Sequence, residues 1–408
     1  MPKIPITPPN RSGDELGPTQ GGVEAIDCIF DKILEGYGLT TTMGYTISRR
    51  GGLWPWWYDG SQIGVDGLYW WSNRQFLIAV IMGRVYVFSN WISAPVEITS
   101  STCRLNFGSK ASIESSGKWL FITTPGSKPI MWNGDLSSPA QFITNSPQAD
   151  MFTFLNDYIL FNESSSNRIR MISAVADSLD TPVYQDGMFF SPQASADRLV
   201  ALVAQNGELN LHGPKSLEYW RFDGTKAFPE VPFSRVSGAY LEYGCASPGT
   251  LLKFDNTLFW LDPLKRVVQL SGRSPTIIST PIDGWLRTIT TLNDSFAFMV
   301  DRRFYCLTFP TDDYTFVYDM ITGTWSKWSY WKTDHYERFL GANSVYCPEW
   351  NMNFVGSRNE GRIFQYDKNL VTDNMGPIRM LYRTAHMDWG TLGWKQANKL
   401  ILRLKRGV

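Results

Sequence analysis

The chain has 408 residues, of which 43% are hydrophobic and 14% aromatic, so it can bury a large core and is not expected to be disordered. Its 38 basic and 38 acidic residues give a formal net charge of zero, which excludes a global electrostatic attraction to DNA, an anionic membrane or an acidic substrate. Length alone would allow two or three domains, although a ring of repeated units of this size folds as one.

The spacing of the cysteines and the length of the apolar runs indicate the cellular compartment in which the chain folds. Because no C-x-x-C or other short spacing joins the five cysteines, we expect free buried thiols in a reducing compartment rather than a disulfide framework. Residues 1–24 lack the apolar run of a secretion signal, and no apolar stretch approaches about eighteen residues, so neither classical secretion nor a membrane span is predicted. The cysteines are Cys28, Cys103, Cys245, Cys306 and Cys347.

Residues 1–24 are predicted to form an extended N-terminal arm. This stretch is rich in Pro and Gly and poor in apolar side chains, so it cannot pack a core of its own and would be ordered by a partner. In the next stretch, Val23–Gly36, apolar residues recur at helical spacing, but the short β-branched run favours a strand. Trp54, Trp56 and Trp57 then crowd around one proline, which indicates a core plug or a subunit contact.

Seven hairpin-like segments follow at intervals of about forty to fifty residues, each with two short apolar strands around a polar or Gly/Pro turn. This is the period of a β-propeller blade, so the sequence predicts an all-β fold with one propeller over residues 25–367. We expect seven blades, and six or eight remain open because a terminal hairpin can lie outside the ring. The hairpins span Phe76–Ser89, Lys118–Asn133, Asp157–Ser173, Gly207–Phe222, Thr257–Ser271, Arg303–Asp319 and Met352–Asp367.

Further strands between the hairpins complete the predicted sheets. The segment DMITGTWSKW contains the clearest turn, because Thr322 and Gly323 favour a tight reversal after which Trp325 re-enters the sheet and packs between blades. The completing strands are expected at 198–206, 248–255 and 295–301.

The pattern changes after Asp367, so residues 368–408 are assigned to a C-terminal β segment. Its stretches 376–390 and 397–406 each predict a strand, which would either close the ring against an N-terminal strand or form a small appended sheet. Five basic residues and no acidic residue follow Asp388, which indicates a solvated strand face or a contact with nucleic acid or an acidic neighbour. They are Lys395, Lys399, Arg403, Lys405 and Arg406.

Candidate residues for catalysis or metal binding are sparse, and the sequence predicts no catalytic residue, metal ligand or cofactor. The motifs G-x-S-x-G, G-x-x-x-x-G-K-[ST] and H-E-x-x-H do not occur in it. Asp312 and Asp313 are the best catalytic candidates, since propeller glycosidases use paired carboxylates, but adjacent Asp residues in a turn commonly bond nearby backbone amides. The histidines lie far apart without metal-ligand spacing, at His212, His335 and His386.

Two pairs of adjacent arginines could be imagined as anion ligands. Because neighbours on a strand point to opposite faces, neither Arg49 and Arg50 nor Arg302 and Arg303 predict a convergent site.

We therefore predict a protein that is not an enzyme. A glycan-binding or glycan-hydrolysing propeller is the alternative, because one fold hosts many functions.

The stretch from Glu218 to Trp328 contains, in order, a G…G.ASP segment, a D..LFWL strand, an IST.ID segment and a Y.LTFP…YD..T..W hairpin. With these motifs in this order, it resembles the packaged-DNA stabilisation proteins of short-tailed bacteriophages. Arg50-Gly51-Gly52 is similar to the family's R-x-G element. The matching positions include Glu218, Gly238, Gly244, Ala246, Ser247, Trp260, Leu261, Ser279, Thr280, Ile282, Asp283, Leu307 to Pro310, Tyr318, Asp319, Thr322 and Trp325.

This resemblance implies a structural protein of the phage tail, assembled in the host cytoplasm and carried in the virion. It implies a hub or nozzle ring, expected to be a homohexamer, that extends the DNA channel below the portal and adaptor, helps to retain the packaged genome and conducts it during ejection. The implied partners are further copies of the chain, adaptor-side or portal-side tail proteins, a tail needle, plug or tailspike, and the packaged double-stranded DNA. A net charge of zero suits a conduit, because a strongly basic lumen would retain DNA through counterion release.

Overall fold

Seven blades of four antiparallel strands each stand around one axis as a β-propeller, and two further strands extend the sheets of blades 6 and 7. The computed structural model describes residues 24–37, 40–174, 181–195, 197–226 and 230–383. The prediction of an all-β, seven-bladed propeller is confirmed. Among these residues no helix is long and apolar enough to cross a membrane. The helices are short: three 3₁₀ turns at Pro248–Thr250, Thr280–Ile282 and Pro348–Trp350, and α1 at Asp283–Thr288.

Four strands precede the first blade. The prediction of a strand rather than a helix in Val23–Gly36 is confirmed, because this stretch contains β1 and most of β2. The hairpin of β2 and β3 pairs continuously from Cys28 opposite Arg49 to Tyr37 opposite Thr40. At about 3.3 Å per residue, each of its strands is about 33 Å long. The four strands are β1 Glu24–Ile26, β2 Cys28–Tyr37, β3 Thr40–Arg49 and β4 Gly52–Tyr58.

Blades 1 to 3 are simple meanders in which consecutive strands pair antiparallel. In each, the predicted hairpin supplies the second and third strands, and the segment before the hairpin supplies the first. The strands are β5 Val65–Trp71, β6 Phe76–Ile81, β7 Arg84–Phe88 and β8 Val96–Glu97 in blade 1; β9 Ser112–Ser115, β10 Leu120–Thr123, β11 Ile130–Trp132 and β12 Gln141–Phe142 in blade 2; and β13 Ala149–Leu155, β14 Tyr158–Glu163, β15 Ile169–Ser173 and β16 Val183–Phe190 in blade 3.

Blades 4 to 6 follow the same plan, and their first strands lie within the three predicted completing segments. They comprise β17 Ala201–Gln205, β18 Glu208–His212, β19 Leu217–Phe222 and β20 Phe233–Leu241; β21 Leu252–Phe254, β22 Thr257–Leu261, β23 Val267–Ser271 and β24 Ser274–Ile277; and β25 Phe296–Val300, β26 Phe304–Phe309, β27 Tyr314–Asp319 and β28 Thr324–Lys327. A separate two-stranded hairpin, β29 Ser329–Lys332 and β30 His335–Arg338, connects blade 6 to blade 7.

Blade 7 closes the ring by combining strands from distant parts of the chain. Its first three strands are β31 Gly341–Cys347, β32 Met352–Ser357 and β33 Arg362–Asp367. The fourth is β4, which pairs antiparallel with β33 from Gly52 opposite Asp367 to Tyr58 opposite Arg362. The ring is therefore closed by the tryptophan-rich segment that the sequence analysis assigned to a core plug or a subunit contact, and not by a described strand after Asp367.

The last described strands add to the outer edges of blades 6 and 7. β34 Thr372–Asp373 pairs with β35 Gly376–Pro377 and, through Asp373, with Leu53 of β4. β36 Leu381–Arg383 pairs with β1, which in turn lies parallel to β28. Glu24 stands opposite Arg383, so the first and last described residues meet at the outer edge of blade 6. Residues 1–23 of the predicted arm, the basic residues after Asp388 and His386 lie outside the described residues.

The core consists of one hydrophobic cluster at each of the seven joints between neighbouring blades. Both faces of a blade are apolar, and aromatic rings fill the space between adjacent pleated sheets. Trp325 confirms its prediction, because it lies between blades 5 and 6 with no exposed surface and donates from Nε1 to the Ile278 carbonyl at 2.8 Å. All five cysteines are buried thiols.

Candidate functional site

The first strands of the seven blades surround the propeller axis and are joined to one another by side-chain hydrogen bonds. The Nδ2 atom of Asn343 in blade 7 donates to the Val65 carbonyl in blade 1 at 2.6 Å. Between blades 4 and 3, the Ala204 N–H donates to Oγ1 of Thr153 at 2.9 Å. These bonds link the inner strands of neighbouring blades.

Lys110 reaches across this axis. It lies in the loop before blade 2, and its Nζ donates to the Ala297 carbonyl of blade 6 at 2.9 Å and to the Gly249 carbonyl before blade 5 at 3.3 Å. In a ring of seven, blades 5 and 6 stand opposite blade 2. The cavity around Lys110 has a volume of about 440 Å³. We call it the axial cavity, and the lysine side chain crosses it.

Ionisable side chains of both signs lie on the inner strands and on the loop that carries Lys110. Burial lowers the pKa of Lys110 to about 8, so its ammonium group persists at neutral pH with two carbonyl partners. On the inner strand of blade 2, burial raises the pKa of Glu114 to about 7, and the charge of Lys253 opposes this shift. The Nζ atom of Lys253 also donates to the Ala204 carbonyl at 2.7 Å. These hydrogen bonds tie blades 2, 4, 5 and 6 together around the axis.

Asp66 holds the loop that carries Lys110. Its Oδ1 accepts the Gly108 N–H at 2.9 Å, and its backbone carbonyl accepts the Ala111 N–H at 2.8 Å. The side chain is 6% exposed, and its Oδ2 has no hydrogen-bond partner among the described residues. Burial therefore raises the pKa of Asp66 to about 7, against the opposing effect of the Gly108 hydrogen bond.

This raised pKa predicts a pH dependence of stability. Between about pH 4, the pKa of an unfolded Asp, and pH 7, the folded state retains a proton on Asp66 that the unfolded state has lost. The free energy of unfolding should thus fall as pH rises through this window. At pH 8, Asp66→Asn should raise it by on the order of 1–4 kcal/mol, since each pKa unit is worth about 1.4 kcal/mol.

Urea unfolding of both proteins at pH 5 and pH 8 checks this prediction. Asn keeps the acceptor for Gly108, so the variant isolates the charge. A difference in free energy of unfolding between the two proteins that stays the same at both pH values would contradict it.

Asp312 and Asp313 do not converge on a common point. The carboxylate of Asp312 accepts the Thr290 and Thr291 N–H groups at 2.9 and 3.2 Å and the Thr290 hydroxyl at 2.8 Å. Burial would raise the pKa of Asp312, but these hydrogen bonds outweigh it and lower the pKa. Asp313 instead accepts the N–H of Arg338 at 3.1 Å. A general acid needs a raised pKa, so Asp312 is not suited to be the acid in glycoside cleavage.

The arginine pairs also have separate structural partners. Arg302 and Arg303 lie in the turn before β26, so their expected place on a strand is wrong; Arg302 adopts a φ of 52°, which turns the chain. Arg303 bonds Asp319 at 2.6 Å. Arg49 donates to a backbone carbonyl after blade 7, whereas Arg50 is fully buried, so neither pair forms a shared anion site.

The buried side chain of Arg50 contacts three other segments of the chain, at Asp27, Ser329 and Asp373. We call these four residues the terminal clasp. The Nε atom of Arg50 donates to Asp27 at 2.6 Å, Nη2 donates to the Ser329 carbonyl at 2.6 Å, and the guanidinium pairs with both oxygens of Asp373. Burial alone would lower the pKa of Arg50, but the two carboxylates raise it, so the side chain stays charged.

The terminal clasp ties the N-terminal strands to the ring. Asp27 also accepts the N–H and hydroxyl of Ser329 at 2.9 and 2.7 Å. Gly51 and Gly52, which follow Arg50, lie so close to neighbouring backbone that a Cβ would stand 2.7 Å from the Asp367 oxygen and 2.2 Å from the Thr372 oxygen. The R-G-G element noted in the sequence therefore has a structural role at the seam of the ring.

The two histidines within the described residues, His212 and His335, have separate surroundings. Burial lowers the pKa of His212 to about 3, and its ring packs edge-on against Trp260 at 4.9 Å. His335 is exposed beside Asp334. Nowhere in the described ranges do three His, Cys, Asp or Glu side chains come together in a way that could hold a metal ion.

The motif residues singled out between Glu218 and Trp328 lie where consecutive blades or their connections join. Glu218 accepts the Ala194 N–H at 2.6 Å and the indole N–H of Trp220 at 2.8 Å. The hydroxyl of Ser247, before blade 5, donates to the Ser295 carbonyl before blade 6 at 2.8 Å. At Gly244 a Cβ would stand 1.9 Å from a backbone oxygen. Packing and hydrogen bonding at blade joints explain the presence of these three residues.

Comparisons with known proteins agree with this fold. The family described as bacteriophage P22 Gp10, β-propeller, matches residues 63–371 of the chain. A solved structure of a streptogramin B lyase has a TM-score of 0.50 at 10% sequence identity, covering 78% of this chain and 98% of the lyase. At that identity the likeness shows the fold alone. A comparison with curated proteins found no match.

Proposed function

The chain belongs to the bacteriophage P22 Gp10 β-propeller family, and on this premise we propose that it is the tail hub, or nozzle, of a short-tailed phage. The family is one of phage structural, DNA-stabilising proteins, which gives the chain a structural role in the virion. In the proposed role, several copies form a ring, expected to be a hexamer, below the portal and adaptor. The ring extends the DNA channel, helps to retain the packaged genome and conducts it during ejection.

The observation that carries the ring proposal is Lys110 crossing the axis of its own propeller. The major groove of B-form DNA alone is about 12 Å wide and admits a whole α-helix. A duplex therefore cannot pass through an axial cavity of about 440 Å³ that a lysine spans. A conduit for DNA must be bounded by the outer surfaces of several copies.

The proposal includes no catalytic step. Asp312, the better buried of the two acidic candidates, is engaged by three hydrogen bonds that stabilise its charged form. The proposed neighbours are other copies of the chain, the adaptor-side or portal-side tail proteins, and a needle, plug or tailspike. The packaged DNA would contact the ring while it passes.

Electron microscopy of the phage particle tests the proposal directly. Density for a ring of propellers on the tail axis, between the adaptor and the tail tip, is the expected result. A native mass of the purified protein with and without the upstream tail ring gives the number of copies. A propeller located on the capsid surface, or one that stays monomeric in the tail, would overturn the role.

Deletion of residues 1–20 should separate folding from assembly. The described structure begins with β1 at Glu24, so the shortened chain keeps every described strand and its free energy of unfolding should change by less than about 0.5 kcal/mol. We expect it to fold and to fail to join the tail, because the arm would contact a neighbouring subunit. Incorporation is measured by immunoblot of purified particles. A chain with a scrambled arm is the control for length, and normal incorporation of the deleted chain would count against the arm's role.

A further inference from the structure

We propose that an aromatic surface on the outer rim of the propeller binds the proline-rich arm, residues 1–23, of a neighbouring copy of this chain. The surface consists of Trp54, Trp56, Trp91 and Ile92 and is called the rim patch. The inference rests on the proposed ring, because it names the contact through which one copy holds the next.

Trp56 forms the base of the rim patch at the joint between blades 7 and 1. Its ring centroid lies 4.4 Å from that of Phe354 in blade 7 and 4.9 Å from that of Phe88 in blade 1. Its Nε1 donates to the Trp91 carbonyl at 3.3 Å, in the loop after β7. Packing and the hydrogen bond together hold β4 and this loop side by side, so the surface exists before any partner arrives.

The upper part of the rim patch faces solvent beside an open sheet edge. Trp54 and Trp91 are 47% and 49% exposed, and Ile92 is 77% exposed. β4 is the fourth strand of blade 7, and beyond Leu53, which pairs with Asp373, no described strand covers its outer edge. Exposed apolar side chains beside such an edge indicate an interaction surface, since open edges are normally covered.

The arm has the periodicity of a ligand for an aromatic groove. Pro2, Pro5 and Pro8 recur every three residues. A polyproline II helix has three residues per turn, so in such a helix prolines at this spacing would lie along one face. Proline-rich helices of this type dock in aromatic-lined grooves, where rings pack against prolines and indole N–H groups donate to the free carbonyls. Prolines also restrict the free arm, which reduces the entropy lost on binding.

The position of the arm favours a neighbouring copy as its source. The arm is continuous with Glu24 at the outer edge of blade 6. Within one copy, Asp373 lies between this edge and the rim patch, since it contacts Arg50 of the terminal clasp and pairs with Leu53 of β4. A closed ring requires two different surfaces on each copy, and the arm and the rim patch are such a pair. At about 3.1 Å per residue, 23 residues span about 70 Å.

Photo-crosslinking of the full chain tests the contact. A photoreactive residue replaces Ile4, and ¹⁴N-labelled and ¹⁵N-labelled copies are mixed so that mass spectrometry distinguishes links within a copy from links between copies. We expect links from the arm of one copy to the rim patch of another. Their yield should fall at least tenfold in Trp54→Ala/Trp91→Ala and equally in Pro5→Ala/Pro8→Ala.

The matched control is Leu264→Ala/Ile321→Ala, which removes two apolar side chains that are 70% and 69% exposed elsewhere on the surface. It should retain the full yield. Links confined to single copies, or an undiminished yield in the rim-patch variant, would overturn the proposal. Native mass spectrometry of the same samples distinguishes failure of this contact from failure of the proposed ring. If an oligomer forms but its arms crosslink elsewhere, only the contact with the rim patch is overturned. If no oligomer forms, the proposed ring is overturned as well.

Discussion

Gly52→Val is expected to open the propeller ring and to lower the free energy of unfolding by about 3 kcal/mol or more. Gly52 is the first residue of β4 and pairs with Asp367 at the seam of blade 7. A Cβ at this position would stand 2.2 Å from the Thr372 oxygen and 2.9 Å from Cβ of Leu370. Because backbone atoms cause the closest clash, β4 must move away from its neighbours, and blade 7 then loses its fourth strand.

Hydrogen exchange identifies which strands of Gly52→Val are destabilised, whereas a melting curve reports only the loss of stability of the whole protein. Amides of β33 should exchange faster in Gly52→Val, since β33 would become an edge strand, while amides of blade 3 should change last. Gly224→Val is the matched control, because the nearest atom to its new Cβ is a side-chain carbon 3.3 Å away on Phe222. Equal unfolding midpoints for the two variants would show that the seam tolerates the change.

The repeating part of the fold could be predicted from the sequence because its signals are local. Each predicted hairpin, such as Phe76–Ser89 or Thr257–Ser271, joins two strands that are adjacent in the chain and buried between neighbouring blades. The alternation of apolar strands and short turns therefore appears directly in the residue order. The turn before Trp325 was predictable for the same reason.

The closure of the ring could not be predicted in this way. Leu53 and Tyr366 pair although more than three hundred positions separate them, and Pro55 interrupts the strand pattern. Lys110 reaches carbonyls 139 and 187 residues away, so nothing in its own neighbourhood indicates that it crosses the axis. Side chains that act across the ring depend on which blades stand opposite each other, and that follows only from the complete topology.

The terminal clasp could be predicted from the sequence only in part. The R-x-G resemblance drew attention to Arg50, but its acidic partners lie 23 and 323 residues away, at Asp27 and Asp373. Neither aspartate stands out in the sequence. Each joins the site only because β1 adds to blade 6 and β34 adds to β4.

Arg50→Ala should be the most destabilising single substitution in the terminal clasp. It leaves the carboxylates of Asp27 and Asp373, which are 1% and 2% exposed, buried without their counterion. Removing one member of a buried ion pair costs about 3–5 kcal/mol. The variant also loses the contacts of the guanidinium with the rings of Trp328 and Phe339, whose centroids lie 5.6 and 4.8 Å away.

The loss of stability in Arg50→Ala should become smaller as pH falls. Burial raises the pKa of Asp27, and Arg50 opposes that effect in the wild-type protein. Without Arg50 the buried carboxylates should bind protons more tightly when folded than when unfolded, so the variant becomes more stable as pH falls from 7 toward 4. The deficit relative to wild type, measured by urea unfolding, should narrow over that range. A deficit independent of pH would assign the effect to packing alone.

Two further variants separate charge from position. Arg49→Ala, the neighbouring arginine, removes a bond to the Leu370 carbonyl and should cost less than about 1.5 kcal/mol. The neutral variant Asp27→Asn/Arg50→Met/Asp373→Asn should recover part of the loss seen in Arg50→Ala, because buried charge is then absent altogether. Limited proteolysis of all three variants reports where the chain opens. Cleavage should begin in β1 to β3 and β36 only in Arg50→Ala, since the terminal clasp holds these strands to blades 6 and 7.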